Sequence, residues 1–245
     1  MPQAPHRAKD LQSSDARTAK RSEEHLPLEE RAYRFIRQTI VDGAMTEPQY
    51  YTENDLAQRL GMSRTPVREA LKRLRAEQLV VLRPKGGVYV PPIDLDKVEE
   101  VYALTALLQS HAAARLAKIA TAEQLRRLRE ICILIEHNRQ QGHRERLGEL
   151  YGDFHRVIIE SANMPLLAAL MSQVESHLER FRRVTARATA VMLPSRKEHE
   201  EIIDALERHD AKAAERAAFR HIIRLKDAYI LELRKAGFQA AFTRP

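Results

Sequence analysis

Apolar positions recur along most of this chain with the period of an α-helix. Leu28, Ala32, Phe35, Ile36 and Ile40 share one face, and Gly43 stops that run after Asp42. A shorter run carries Leu56, Ala57 and Leu60. Thr52 followed by Asp55 forms a capping-box pattern at its start, and Gly61 offers a left-handed stop at its end. Ser63 is then placed to cap a third helix through its hydroxyl, with Pro66 in the first turn, where a missing backbone N–H costs nothing. On that helix Val67, Leu71 and Leu74 lie within roughly 60° of one another, while Arg64, Arg68, Lys72 and Arg75 form a separate stripe about 80° wide. Two short helices joined by a tight turn, the second with one packing stripe and one cationic stripe, predict a helix-turn-helix.

The period then changes. Val80, Val81 and Leu82, and after them Val88, Tyr89 and Val90, are β-prone runs separated by Arg83, Pro84, Lys85, Gly86 and Gly87. This predicts a hairpin with a basic, glycine-bearing tip, a wing in which Lys85 meets a phosphate and the glycines bring the backbone near a groove. Pro91 and Pro92 end it, and Asp94 can cap a new helix. From there the spacing predicts helices near 94–118, 122–140, 144–162, 165–190, 196–208 and 211–236. Their starts are marked by Thr121 with Gln124, Ser195 with Glu198, Asp210, and Pro165 in a first turn. The fold class is mainly α: an N-terminal winged helix-turn-helix with a small β-hairpin wing, followed by an all-α helical bundle. The expected divisions are a disordered arm at 1–25, the winged unit at 26–93 with its helix-turn-helix at 53–72, an effector-binding and dimerising bundle at 94–236, and a tail at 237–245.

Charge sharpens the picture. From Arg64 to Lys85 seven Lys or Arg stand against Glu69 and Glu77, a local +5 out of a net +7 for the chain, which suits a polyanion. With no Trp and 5% aromatic residues the chain has few platforms for stacking unpaired bases, so duplex DNA is favoured over RNA. Cys132, the single cysteine, lies on the stripe of Leu128, Ile131 and Ile135 and is expected as a core thiol. No apolar run approaches a membrane span, and the start lacks a secretory signal, so cytoplasm, at the nucleoid, is the expected location.

The stretch MSRTPVREALKRLRAEQLV with its R-P-K-G-G-V-Y-V wing resembles the DNA-binding domain of GntR-family bacterial transcription regulators. The resemblance implies that Ser63, Arg64, Thr65, Arg68 and Lys72, with Lys85, Gly86 and Gly87 of the wing, contact the operator. Two positions depart from the pattern: Asn54 stands where a fatty-acid-responsive member has an arginine, and Gln78 where many members have glycine.

The remainder resembles the FCD-type ligand-binding domain of the FadR subfamily. Its echoes are Val98 to Tyr102, Asp153-Phe154-His155 with Ala162-Asn163, Glu198 to Ile202, and His221-Ile222. The resemblance implies a divalent metal such as Zn or Ni held by His155, His199 and His221, receiving a small carboxylate effector. Each histidine lies on an apolar stripe, where an ordinary core imidazole is the competing reading. The acidic ligand expected one turn before His155 is Tyr151, a poor ligand at neutral pH that weakens the site. Thr105 and Gln109 replace the family's effector-binding arginine and its glutamate partner, and with Tyr151 and His177 they form the candidate effector pocket. The expected function is a DNA-binding transcription regulator, a homodimeric repressor on a short pseudo-palindrome, tuned by a metabolite and not an enzyme. The alternatives are a metal-dependent hydrolase built on the three histidines and an RNA-binding protein.

Overall fold

The structure is a computed structural model that describes residues 25–45, 50–83, 87–188 and 196–235, with backbone alone at 144–145, 182–188 and 196. The arm at 1–25 (His25 apart), Lys85, Gly86 and the tail at 237–245 lie outside the described residues. The chain divides into two compact units, Met1–Pro91 and Pro92–Pro245.

In the first unit α1 (Leu28–Val41) packs mainly on α3 (Arg64–Ala76), with α2 (Glu53–Leu60) beside it. The periodic apolar positions form one core: Ala32, Ile36 and Ile40 meet Leu56, Val67, Ala70, Leu71 and Leu74. The capping box at α2 is complete. The Thr52 hydroxyl accepts from the Asp55 N–H at 3.1 Å, and the Asp55 carboxylate accepts from the Thr52 N–H at 3.1 Å. Gly61 closes the helix at φ 61°.

Ser63 departs from expectation. It is the N-cap of α3, with extended backbone, but its side chain makes no cap hydrogen bond. Pro66 occupies the third helical position and so lacks the N–H that a cap serine most often receives.

The hairpin is shorter than the sequence runs. Among the described residues β1 (Val81–Leu82) and β2 (Val88–Tyr89) pair, antiparallel, with Val81 opposite Tyr89 and Leu82 opposite Val88. Val80 and Val90 go into the core instead. Val88 also bridges Tyr51, each N–H donating to the other's carbonyl at 2.9 Å, which ties the wing to the approach to α2. This contact gives Gly87 a role inside the unit as well. At φ 83°, a Cβ on Gly87 would stand 3.0 Å from the Tyr51 carbonyl oxygen. The missing side chain is used inside the unit, where the two backbones approach.

Among the described residues of the second unit every regular element is a helix: α4 (Leu95–Ala117), α5 (Ala122–Gln141), α6 (Arg144–Ser161), α7 (Pro165–Ala188), α8 (Arg196–Glu207) and α9 (Ala211–Lys235). Asp94 caps α4 by accepting from the Lys97 N–H at 2.7 Å, and Thr121 with Gln124 forms a second complete capping box at α5. The long helices α4 and α9 pair most extensively and build two apolar clusters along their length. One gathers Leu116, Leu128, Cys132, Leu147, Phe154, Ile202, Ile203 and Ala214. The other gathers Val98, Tyr102, Leu178, Phe181, Ile222, Tyr229 and Leu233. Cys132 is a buried thiol in the first, as its stripe predicted. Among the described residues no helix is long and apolar enough to cross a membrane.

Candidate nucleic-acid interface and metal centre

The apolar stripe of α3 is buried, and the opposite positions Ser63, Arg64, Thr65, Arg68 and Lys72 are all exposed. The helix is therefore held from behind by its packing and presents a polar, cationic face. That face is not bare. Glu53, the first residue of α2, reaches across the turn to both arginines, meeting Arg64 Nη2 at 3.3 Å and Arg68 Nε and Nη2 at 3.2 Å. Hydrogen bonding to Arg68, ahead of burial and of the Arg64 contact, holds the Glu53 carboxyl below the usual range. Lys72 pairs with Glu69 at 2.8 Å within the helix. The end of α3 is fixed to α1 by the Tyr33 hydroxyl, which donates to both Glu77 oxygens, and by Arg73, whose guanidinium lies 3.5 Å from the Tyr33 ring centre and pairs with Glu30 at 2.9 Å. Gln78, just beyond, takes φ 58°, a left-handed conformation that favours glycine.

In the second unit His155, His199 and His221 come from α6, α8 and α9 and converge, with one ligating atom of each within 4.8 Å of the others. His155 and His221 face one another through Nε2 at 3.3 Å. Behind His221, Nδ1 lies 3.1 Å from a Glu198 oxygen, and the other Glu198 oxygen is held by Arg224 at 2.6 Å. A carboxylate there favours the tautomer with the proton on Nδ1, leaving the His221 Nε2 lone pair directed at the cluster. Phe154 stacks on His199 with ring centres 4.2 Å apart and fixes its plane. His199 is 1% exposed, and neither of its ring nitrogens has a hydrogen-bond partner. Burial, with the adjacent His221 as the smaller cause, pushes its pKa well below the ordinary histidine value, so the ring stays neutral.

Such a donor set fits a divalent cation. An unsatisfied buried imidazole costs about 1–3 kcal/mol, which coordination would offset, and neutral nitrogen donors suit Zn and Ni. The Tyr151 hydroxyl is likewise buried without a partner, its ring 5.7 Å from His199. Burial pushes Tyr151 up to about 12, so it stays a neutral phenol at the edge of the cluster.

The remaining pocket candidates do not all join this group. Thr105 and Gln109 are buried on α4, and the Thr105 hydroxyl donates to the Val101 carbonyl of its own helix at 2.7 Å. His177 is buried 6.3 Å from Phe181, which belongs to the other apolar cluster from the one that holds Tyr151.

Comparison with known proteins decides the family. The description "Bacterial regulatory proteins, gntR family" matches residues 28–90, and the FCD domain matches residues 100–224, just over half of the chain. The chain belongs to the GntR family, with an FCD domain behind its DNA-binding head. Among GntR-family relatives, the HTH-type transcriptional repressor RspR of Escherichia coli is 25% identical over 209 residues, which cover 82% of this chain and 89% of RspR. The solved structure of E. coli McbR/YncC aligns at TM-score 0.70 and 21% identity over 85% of this chain and 99% of that one. A Rhodococcus GntR regulator aligns at TM-score 0.62 and 24% identity over 84% and 97%. These two likenesses show the fold. This GntR-family chain is a DNA-binding transcription regulator with a helical ligand-binding domain, not an enzyme; the hydrolase and RNA-binding alternatives find no support in the matches.

Two residues at these sites are not legible from the chain alone. Glu198 stands out there as the partner of a helix cap and within the Glu198 to Ile202 echo, but nothing in the local pattern joins it to a histidine 23 positions on. Glu53 offers one faint sign, an acid in the first turn of a helix, and its arginine partners are set only by the angle of the turn.

Proposed function

We propose that this regulator is a repressor that binds a short two-fold-symmetric operator as a homodimer, with α3 in the major groove. Ser63, Arg64, Thr65, Arg68 and Lys72 would read base edges and phosphates there, flanked by the wing residues Lys85, Gly86 and Gly87. The observation that carries this reading is the exposed cationic face of α3 backed by a fully packed apolar stripe. Repression is supported by the likeness to RspR. The exposed leucines Leu104 and Leu107 on α4 and Leu166 and Leu170 on α7 support self-association of the second unit. The working division remains a DNA-binding unit at 26–93 and an effector-binding, dimerising unit at 94–236.

In the second unit His155, His199 and His221 would hold a divalent ion such as Zn or Ni, which would supply a Lewis-acidic point for a small carboxylate effector. Tyr151 stands ready to donate a hydrogen bond beside it, and Thr105, Gln109 and His177 are the further pocket candidates. The effector changes DNA binding only so far as it binds one arrangement of the two heads better than another.

The test is selection of bound sequences from a random duplex pool, with affinity then measured on the enriched site. Arg64→Ala should cost on the order of 1–3 kcal/mol and blur base preference, while Lys85→Ala weakens all duplexes evenly and flattens the salt dependence. Unchanged binding in both variants would refute the placement.

A further inference from the structure

Glu53 is the unexpected member of the α3 face. Its backbone begins α2, yet the cap of that helix is already made by Thr52 and Asp55, so the Glu53 carboxylate is free of that duty. It spans instead to Arg64 and Arg68, one turn apart on α3, with one oxygen shared between the two guanidiniums. The three side chains lie at the surface, 58% and 50% exposed for the arginines and 29% for the glutamate, so the group faces whatever α3 faces.

Two guanidiniums one turn apart repel each other and sample many rotamers, and a carboxylate between them removes the repulsion and fixes both forks. The same carboxylate leaves the trio with a charge of only +1 and repels a phosphate brought up to either arginine. Base edges are treated differently, because a guanidinium can reach guanine O6 and N7 without surrendering all its contacts to the carboxylate, which itself accepts from amino groups only. Phosphate docking is thereby penalised and base docking is prepared.

We infer that Glu53 is a specificity-determining positioning residue, holding Arg64 and Arg68 as one base-reading unit and suppressing their attachment to non-operator DNA. This rests on the proposed placement of α3 in the groove. Full-length protein is used to enrich a site from a random duplex pool. Affinities for that site and for a scrambled duplex of equal composition are then measured across a salt series, for the wild type, Glu53→Gln and Glu69→Gln.

The expected result for Glu53→Gln is tighter binding to the scrambled duplex and weaker binding to the enriched site. Their ratio should fall by about tenfold, the discrimination one well-placed base contact supplies. The salt slope on the scrambled duplex should steepen by about one as an arginine is freed for phosphate. A folding defect would instead lower both affinities, and that outcome overturns the inference, as does an unchanged ratio. Glu69→Gln removes an equal charge on the same unit but leaves both arginines held. If it reproduces the full effect, the cause is net charge and the positioning role is lost. Failure of the wild type to enrich any sequence brings down the reading of α3 itself, and this inference with it.

Discussion

His155 and His221, 66 residues apart in the chain, meet through their Nε2 atoms at 3.3 Å, and Glu198 stands behind His221 at 3.1 Å. A carboxylate at that place favours the tautomer with the proton on His221 Nδ1, which leaves the Nε2 lone pair facing the cluster. Glu198→Gln should therefore lower affinity for Zn about 10–100-fold in chelator competition while the three histidines remain. Stripping the wild type with chelator should lower its melting temperature, and adding Zn should restore it by mass action. A His155→Ala, His221→Ala double variant that retains as much metal as the wild type would remove the site.

Tyr151 stands one turn before His155, where the family resemblance implies an acidic ligand, with its ring 5.7 Å from that of His199. Tyr151→Asp should raise Zn affinity by supplying a charged oxygen donor. Tyr151→Phe should leave the melting temperature of chelator-treated protein unchanged or higher, because the deleted hydroxyl has no partner to lose. A marked loss of stability in Tyr151→Phe would show that the hydroxyl is bonded after all.

Tyr33 gives the first unit a dependence on alkaline pH. Burial, then its hydrogen bond to Glu77, pushes its phenol up to about 12 from an ordinary value of 10.0. The folded form thus holds a proton that the unfolded form releases earlier. The stabilisation is complete below pH 10 and is lost as pH rises from 10 to about 12. Tyr151 also titrates near 12, so the comparison must be with Tyr33→Phe and not with a tyrosine-free reference. Stability of that variant should fall less steeply across this window in denaturant titrations. Parallel curves for variant and wild type would contradict the assignment.

Gln78 holds φ 58° where α3 ends. A side chain in that region costs about 1 kcal/mol relative to glycine. Gln78→Gly should accordingly raise the denaturation midpoint with no change in its slope. A drop would mean that the Gln78 side chain makes compensating contacts worth more than the backbone strain.

The linear pattern was enough to fix the helices, the position of the turn and the buried stripe of α3, because each depends on residues within four positions of one another. Leu56, Val67, Leu71 and Leu74 show their faces by spacing, and Thr52, Gly61 and Asp94 show their helix ends by side-chain chemistry. The three histidines could be picked out from the chain, and their common direction could not. Tertiary packing decided that His155, His199 and His221 share one point, that Glu198 backs His221, that Tyr51 completes the hairpin beside Gly87, and that Glu53 holds both arginines. Each of these pairs is brought together by the angle between packed helices or strands, and that angle belongs to the assembled core, not to any local run of residues.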